Sequence, residues 1–302
     1  MSALPSLKQL RYLVALAEHL NFTRAAKSCF VTQSTLSTGL KELENVLGAK
    51  LVERDRRNVV ITPLGFEVAA RSRTIVAAAQ DLVEHVAGAT TPMTGLLRLG
   101  VIPTIAPFIL PRAMALLRSA YPDLRVALRE DLTENLLTRL ADGRLDFALI
   151  ALPYATSQFH VETLFDDELC LLGLKDDPAI KGRKVTVTAS ITDRLLLLEE
   201  GHCLRDHTLI ACAIANKSSS VALEATSLLT LVQMIESGFG IGLLPAMAIT
   251  SGLVTNPKLV TRAIATPTPK RSIALVVRRT TSRMADFDAL AAVIADCNGK
   301  AI

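Results

Sequence analysis

The stretch that decides the fold of the N-terminal part is TQSTLSTGLKELENVLG, residues 32–48. Leucines recur along it with the spacing that places them on one face of a helix, at Leu36, Leu40, Leu43 and Leu47. The other face offers short polar side chains and one cation, at Gln33, Ser34, Thr35, Ser37, Thr38 and Lys41. Side chains of this kind suit base edges and phosphates in the major groove of DNA, so we expect this helix to bind DNA.

The segments on either side complete a small domain. Apolar spacing predicts a first helix through Leu10 and Leu13, and Thr23 is placed to cap a short second helix. Gly48 ends the third helix, and residues 50–62 are typical of a β-hairpin with arginines at its tip, Arg54, Arg56 and Arg57. These elements predict a winged helix-turn-helix. A three-helix bundle with a solvated polar face is the alternative.

The distribution of charge favours the DNA-binding interpretation. Residues 1–62 contain nine Lys and Arg against five Asp and Glu, whereas the remaining 240 residues contain 24 of each. The whole net charge of +4 therefore lies in the first fifth of the chain, which indicates a polyanion-binding module on a neutral body. No run of 18 apolar residues occurs, and the N-terminus lacks the pattern of an export signal, so we expect a cytoplasmic protein with no membrane partner.

Three segments follow from these patterns. Residues 1–62 form the predicted winged helix-turn-helix domain, residues 63–93 a linker helix and hinge, and residues 94–302 a regulatory domain. The linker carries a narrow apolar stripe, which favours pairing with the same helix of a second subunit over packing on its own chain, at Val68, Ile75, Ala79, Leu82 and Val86.

The third segment alternates short apolar runs with helical patterns, and it therefore predicts an α/β fold with parallel sheets. The predicted strands are Leu97–Ile102, Arg125–Leu128, Leu145–Ala151, Leu169–Leu174, Leu195–Leu198 and Ile273–Val277. The predicted helices cover residues 108–119, 133–141, 203–215, 227–237 and 283–296. A return to a strand near the end of the chain suits two lobes joined by two crossovers.

Two cysteines are the candidate reactive groups. Cys203 lies between His202 and Arg205, both of which can stabilise a thiolate, and Cys212 follows nine residues later. In a helix their Cα atoms would lie about 13 Å apart, and a disulfide tolerates about 7 Å, so bonding them would require the helix to unwind. An inert buried thiol at Cys203 and a metal site formed with His207 are the alternatives; we expect no metal and no cofactor.

The order of residues in the first 65 positions resembles the LysR family of bacterial transcription regulators. The matching residues are Ala25-Ala26, Thr32-Gln33-Ser34-Thr35-Leu36-Ser37, Leu43-Glu44, Leu47-Gly48, Leu51, Arg54 and Thr62-Pro63-Leu64-Gly65. The resemblance implies a two-lobed regulatory domain of periplasmic-binding-protein architecture. It also implies double-stranded promoter DNA and RNA polymerase as partners, a homotetramer, and first DNA contacts at Gln33, Ser34, Ser37 and Arg54.

Within that family the chain is similar to OxyR-type hydrogen peroxide sensors, at Tyr12–His19, Ile102–Thr104, Leu198–Asp206, Ala225–Leu228 and Gly240–Pro245. The resemblance implies that Cys203 attacks peroxide, becomes a sulfenic acid and condenses with Cys212. It further implies a peroxide pocket with Thr104 and Thr133, although helix capping is an equal interpretation for both. A dithiol reductant, glutaredoxin or thioredoxin, would then reopen the disulfide.

The sequence departs from these sensors at His207, where they usually carry glutamine, and in residues 213–224, which match poorly. The resemblance also implies that Arg271 holds the redox helix, but a surface cation is the alternative. Two rival functions stay open. One is a LysR regulator that binds a small anionic effector through Thr104, Thr133 and Thr226, and the other is a thiol peroxidase. We favour the peroxide-responsive regulator, which is not an enzyme.

Overall fold

The computed structural model describes residues 4–54, 59–88, 92–212, 224–265 and 268–297. The chain divides into two compact units, one formed by Met1–Thr90 with Ala141–Arg144 and the other by Thr91–Leu140 with Leu145–Ile302. The boundaries of the three predicted segments stay a prediction. None of the helices in the described ranges is long and apolar enough to cross a membrane.

The first unit is a winged helix-turn-helix followed by a long helix. Its elements are α1 (Leu7–His19), α2 (Phe22–Ser28), α3 (Gln33–Leu47), β1 (Val52–Arg54), β2 (Val59–Ile61) and α4 (Pro63–Gly88). Ser6 and Gln9 form a reciprocal capping box at the start of α1, and Gly48 ends α3 in the left-handed conformation with φ of 65°. The prediction that Thr23 caps α2 is wrong, because Asn21 precedes it and its side chain accepts from the backbone N–H of Arg24.

The leucine face of α3 forms the core of this unit. Leu36, Leu40 and Leu43 are buried there, whereas Leu47 is 40% exposed at the helix end. Helix α1 packs so closely on α3 that a Cβ atom at Gly39 would lie 2.7 Å from the ring of Tyr12. The wing is tied to α3 through Glu44, whose carboxylate accepts hydrogen bonds from the backbone N–H groups of Leu51 and Val52.

Helix α4 leaves part of its apolar stripe uncovered. Near its start Ala69 and Ser72 are buried, and Val68 is half-buried. Farther along, Ile75, Leu82 and Val83 are 50–69% exposed. An apolar stripe of this extent that its own chain does not cover is consistent with the predicted pairing of two linker helices.

The second unit is a mixed α/β domain. Its elements are β3 (Gly95–Val101), α5 (Ala106–Ala120), β4 (Leu124–Glu130), α6 (Thr133–Ala141), β5 (Phe147–Leu152), β6 (Phe159–Leu174), β7 (Lys184–Val185), α7 (Ala189–Thr192), β8 (Leu197–Leu198), α8 (Cys203–Ala211), β9 (Glu224–Ala225), α9 (Leu228–Glu236), β10 (Gly242–Pro245), α10 (Ala246–Thr250), β11 (Leu259–Ile264), β12 (Lys270–Arg278) and α11 (Met284–Asp296). Every strand and helix predicted in this region is present, with boundaries that mostly differ by a few residues; the exception is the strand predicted at Leu169–Leu174, which begins ten residues earlier as β6 (Phe159–Leu174). Of the helix predicted over 203–215, residues 213–215 lie outside the described ranges.

The strand order is β4-β3-β5-β12-β6-β11-β7, and β10 also pairs with β6. The prediction of parallel sheets holds where β3 pairs with β4 and β5. It is wrong for β12 against β5 and β6, and for β10 and β11 against β6, which are all antiparallel. These antiparallel pairings centre on β6, a strand of 16 residues that runs from one part of the domain into the other. Its first part pairs with β12, and its last part pairs with β10 and β11.

Candidate functional site

A small pocket lies where three helices of the second unit begin. Thr104 follows β3 just before α5, Thr133 is the first residue of α6, and Cys203 is the first residue of α8. Strands β3 and β4 are parallel, so their carboxyl ends bring Thr104 and Thr133 to the same edge of the sheet. The pocket is lined by Ile102, Pro103, Thr104, Leu132, Thr133, Gly201, His202 and Cys203. The sequence-predicted residues Cys203, His202, Thr104 and Thr133 thus meet in one place.

Arg271 on β12 is the buried cation of this site, with a side chain 1% exposed. Its guanidinium donates to the hydroxyl of Thr104 at 2.7 Å and to the Thr104 carbonyl at 3.0 Å. It also donates to the carboxylate of Asp167 on β6 at 3.0 Å. Asp167 accepts in addition from the backbone N–H of Met247 at 3.0 Å. Arg271 is therefore no surface cation but a fixed bridge between three elements and the pocket wall.

The Cys203 thiol is buried, and burial raises its pKa above the ordinary 9.0. The charge of Arg271 lowers this pKa, and so does the approach of the Thr133 hydroxyl, but together they do not offset the burial. Asp206 adds a smaller rise. The resting thiol is thus protonated at neutral pH, in a setting where one fixed cation and one hydroxyl favour the thiolate.

Two expected thiolate stabilisers do not act on Cys203 as charges. Burial lowers the pKa of His202 below 6.5, against an opposing effect of Glu199, so His202 is neutral. Arg205 is turned away from the pocket, and its Nη1 donates to the Leu198 carbonyl at 2.9 Å and to the Glu224 carboxylate at 2.7 Å. The role expected for these two residues is corrected accordingly: the stabilising cation is Arg271, and Arg205 fastens α8 to β8 and β9.

Thr133 differs from Thr104 in how its hydroxyl is used. The Thr104 hydroxyl accepts from Arg271, whereas the buried Thr133 hydroxyl has no hydrogen-bond partner among the described residues. Its distance to the Cys203 thiol is short enough to affect the pKa but falls short of hydrogen-bond geometry. A hydroxyl held beside a thiol without a partner is available to a small molecule in the pocket.

Cys212 lies at the other end of α8, as the residue that caps its C-terminus. Its thiol is buried in the apolar core of the second unit, in the cluster that also contains Leu204 and Ala225, and burial raises its pKa to about 11. Both cysteines are free thiols. Nine helical residues separate them, which corresponds to about 13 Å between their Cα atoms, so the observed helix keeps them apart.

His207 occupies the same face of α8 one turn after Cys203 and is buried. Burial and the charge of Arg271 lower its pKa to about 4, so the ring is neutral at physiological pH. The backbone carbonyl of Pro153 is close enough to raise this pKa, as the smallest of the three effects. Neither ring nitrogen reaches hydrogen-bond geometry with the described residues. Cys203, His207 and Cys212 do not converge, and among the described residues no three His, Cys, Asp or Glu side chains could hold a metal ion.

The other cysteines are half-buried and do not line this pocket. Cys29 ends α2, Cys170 lies within β6 and Cys297 ends α11. Burial raises the pKa of each thiol, as expected for structural cysteines of low reactivity.

The second candidate site is the exposed face of α3 in the first unit. Gln33, Ser34, Thr35 and Lys41 are exposed there, and Ser37 is half-buried. The Gln33 amide oxygen accepts from the Thr23 hydroxyl at 3.2 Å, which orients its side chain at the start of the helix. Arg54 ends strand β1, whereas Arg56 and Arg57 lie outside the described residues.

Sequence reasoning missed two members of the pocket network, Asp167 and Met247. Their positions give no motif, since one lies in a long strand and the other in the first turn of a short helix far along the chain. The signal that could have found Asp167 is a charged residue in a strand that must pass through the core. Thr226, a residue of the anionic-effector alternative, is exposed and does not line this pocket.

Comparison with known proteins supplies independent evidence on the family to which the chain belongs. The family model for the LysR substrate binding domain matches residues 91–297, and the model for bacterial regulatory helix-turn-helix proteins of the lysR family matches residues 7–65. The chain is 45% identical over 296 residues to the HTH-type transcriptional regulator EstR of Acinetobacter baylyi, covering 96% of each chain.

Other relatives are named for peroxide. A probable hydrogen peroxide-inducible genes activator of Streptomyces viridosporus is 39% identical over 292 residues, covering 96% of this chain and 93% of that protein. Among solved structures, a variant of full-length OxyR from Pseudomonas aeruginosa matches with a TM-score of 0.81 and 32% identity, covering 98% of this chain and 96% of the other.

Proposed function

We propose, since the chain belongs to the LysR family of bacterial transcription regulators, that it is a DNA-binding regulator switched by hydrogen peroxide through a reversible Cys203–Cys212 disulfide. One observation carries the proposal. Cys203 lies in a pocket lined by Thr104 and Thr133, beside the fixed cation of Arg271 and the unpaired hydroxyl of Thr133, with Cys212 at the other end of the same helix. The similarity to OxyR proteins agrees with this interpretation.

The first step oxidises Cys203. The thiol loses its proton, the thiolate attacks one peroxide oxygen, and the O–O bond breaks to leave a sulfenic acid and hydroxide, which takes up a proton to form water. Arg271 stabilises the thiolate by its charge, while the Thr133 hydroxyl is placed to donate a hydrogen bond to the departing oxygen.

The second step joins the two cysteines. The Cys212 thiol attacks the sulfenic sulfur, forms the disulfide and releases water. Because α8 holds the two Cα atoms about 13 Å apart, this step requires the helix to open. Opening must break the Arg205–Glu224 ion pair and remove Cys212 from its apolar core. Oxidation therefore replaces one packing of the region around α8 by another.

We infer that this repacking changes subunit geometry and thereby the spacing of the DNA half-sites that the oligomer contacts. The proposed partners are promoter DNA, RNA polymerase and a second copy of the chain, with a tetramer as the full assembly. A dithiol reductant such as glutaredoxin or thioredoxin would restore the free thiols, and the proposed compartment is the cytoplasm, where such reductants keep thiols reduced.

A second candidate function deserves a test because the relative EstR, at 45% identity, is not named for peroxide. In this alternative a small anion binds where three helices begin, next to the buried charge of Arg271. A thermal shift with small carboxylates and no thiol chemistry with peroxide would favour it. A thiol peroxidase would instead turn over many peroxide molecules per protein with a reductant present, which we do not expect of a regulator.

The experiment that tests the main proposal compares Cys203→Ser with the matched control Cys170→Ser. Each protein is incubated, reduced, with DNA fragments that the reduced wild type has selected from a random library, and footprints are recorded before and after near-stoichiometric peroxide. Wild type and Cys170→Ser should change their footprint, and Cys203→Ser should bind but not change. A peroxide response that persists in Cys203→Ser would contradict the mechanism.

A further inference from the structure

His207 is a buried polar residue that takes no part in the proposed oxidation of Cys203. Its ring is 6% exposed, and neither nitrogen has a hydrogen-bond partner among the described residues. Leaving such a group unpaired in a folded state is unfavourable, because the ring loses its hydrogen bonds to water and gains none in return. Native proteins tolerate few unpaired buried groups, so each one calls for an explanation.

A catalytic base is the obvious explanation, but the magnitudes exclude it. The pKa of His207 is about 4, whereas that of the Cys203 thiol lies above 9.0. A proton transfer from the thiol to this ring would be unfavourable by a factor of about 10⁵. His207 also does not line the pocket in which peroxide would bind.

We propose that His207 is a positioning residue that sets the redox balance of the switch, because its buried and unpaired imidazole disfavours the closed helix α8 relative to the opened form. The inference rests on the proposed function, in which the disulfide requires α8 to open. In the opened form water reaches the ring and restores its hydrogen bonds. Only the closed, reduced form contains the buried, unpaired ring. The unfavourable free energy of this burial therefore shifts the redox equilibrium toward the disulfide form.

The geometry of α8 makes this effect specific to His207. The ring follows Cys203 by one turn, and the charge of Arg271 acts on it. Arg271 does not satisfy the ring, because its N–H groups already donate hydrogen bonds to Thr104 and Asp167. Arg205 on the same helix is paired with Glu224 and stabilises the closed form. Helix α8 thus carries one contact that holds it closed and one side chain that favours its opening.

The test measures the reduction potential of the Cys203–Cys212 disulfide in the full chain, equilibrated in glutathione buffers and analysed by alkylation and mass. In each equilibrium two glutathione thiols supply two electrons and two protons to the disulfide. His207→Leu removes the polar ring, and His207→Gln offers a flexible amide that can donate to the Pro153 carbonyl. The control Ile210→Gln changes a side chain that is 69% exposed on the same helix.

Both His207 variants should shift the equilibrium about tenfold toward the reduced protein, which corresponds to a potential about 30 mV less negative, while Ile210→Gln stays within error of wild type. In a Cys212→Ser background the rate of sulfenic acid formation should change less than about threefold, since His207 takes no part in that step. An unchanged or more negative potential in both variants overturns the inference, and so does a loss of rate of about 100-fold. A wild type that forms no disulfide would instead remove the proposed function itself.

Discussion

Arg271 donates a hydrogen bond of 2.7 Å to the hydroxyl of Thr104, and this bond joins strand β12 to the wall of the pocket that contains Cys203. The same guanidinium pairs with Asp167 on β6. One buried cation therefore contributes both to the stability of the domain and to the electrostatics of the reactive thiol. Substitutions at its partners can separate these two contributions.

Thr104→Val and Thr133→Val should have opposite consequences, although both remove one hydroxyl at nearly constant volume. Thr104→Val leaves an Arg271 N–H without its acceptor and should lower the free energy of unfolding by about 1–3 kcal/mol. Thr133→Val removes a hydroxyl that has no described partner, so stability should stay the same while the rate of Cys203 oxidation by peroxide falls about 100-fold.

Urea unfolding and stopped-flow thiol oxidation measure the two effects on the same protein samples. Each threonine variant serves as the control for the other. A wild-type rate of Cys203 oxidation in Thr133→Val would show that the Thr133 hydroxyl takes no part in the reaction.

Arg271→Met should destabilise the reduced protein by about 3–5 kcal/mol, because it leaves the Asp167 carboxylate buried without its cation. The double variant Arg271→Met with Asp167→Asn should recover part of this loss, since the unpaired charge is gone. It should still react slowly with peroxide, because the charge that favours the Cys203 thiolate is also gone. Chemical denaturation and the pH dependence of thiol alkylation test both parts, and a double variant with the wild-type rate would contradict the role of Arg271.

The sequence predicted the helix-turn-helix, the wing and most helices and strands of the second unit because those depend on local apolar spacing. It also drew attention to Cys203 and Cys212. The role of Arg205 was predicted wrongly, since proximity along the chain suggested a contact with Cys203 that the path of α8 turns toward Glu224. The true cation, Arg271, is separated from Cys203 by 68 positions in the sequence. Only the antiparallel return of β12, which local patterns do not specify, brings them together.

The stability of the reduced protein should depend on pH through His207. Its pKa is about 4 in the closed form and 6.5 when exposed, so the closed form gives up stability as the pH falls from 6.5 toward 4. At about pH 5 the loss should approach 2 kcal/mol. The charge of Arg271 acts on the ring, and burial raises the pKa of its partner Asp167, so the comparison must be made with His207→Leu.

Urea unfolding of reduced wild type and His207→Leu at about pH 7.5 and about pH 5 provides that comparison. Wild type should lose more stability than the variant by about 2 kcal/mol. Equal losses would show that the ring is not buried as a neutral group.

Leu82→Glu on α4 should weaken self-association, because it places a charge in an apolar stripe that its own chain does not cover. Sedimentation velocity on wild type and the variant measures the change, and Leu229→Glu, another exposed leucine on α9 of the second unit, is the control for surface charge. An unchanged sedimentation profile for Leu82→Glu would exclude α4 from the subunit interface.

Two substitutions on α3 should affect DNA binding differently. Lys41→Ala should weaken binding to all sequences alike and reduce the salt dependence by about one counterion, if the lysine contacts a phosphate. Gln33→Ala should instead reduce discrimination between sites by about 1–3 kcal/mol, as expected for a contact to a base edge. Fluorescence anisotropy across a salt series measures both, with Lys175→Ala in the second unit as the control. If neither substitution changed DNA binding, the DNA interface would not include this face of α3.

The central claim is that peroxide joins Cys203 to Cys212, and non-reducing peptide mass spectrometry tests it most directly. Purified reduced protein is treated with near-stoichiometric peroxide, alkylated, digested and compared with an untreated sample and a sample reduced again by dithiol. We predict a crosslinked peptide that contains Cys203 and Cys212, appears with peroxide and disappears on reduction. Free thiols at both positions after treatment would contradict the account and direct attention to a small anion in the pocket.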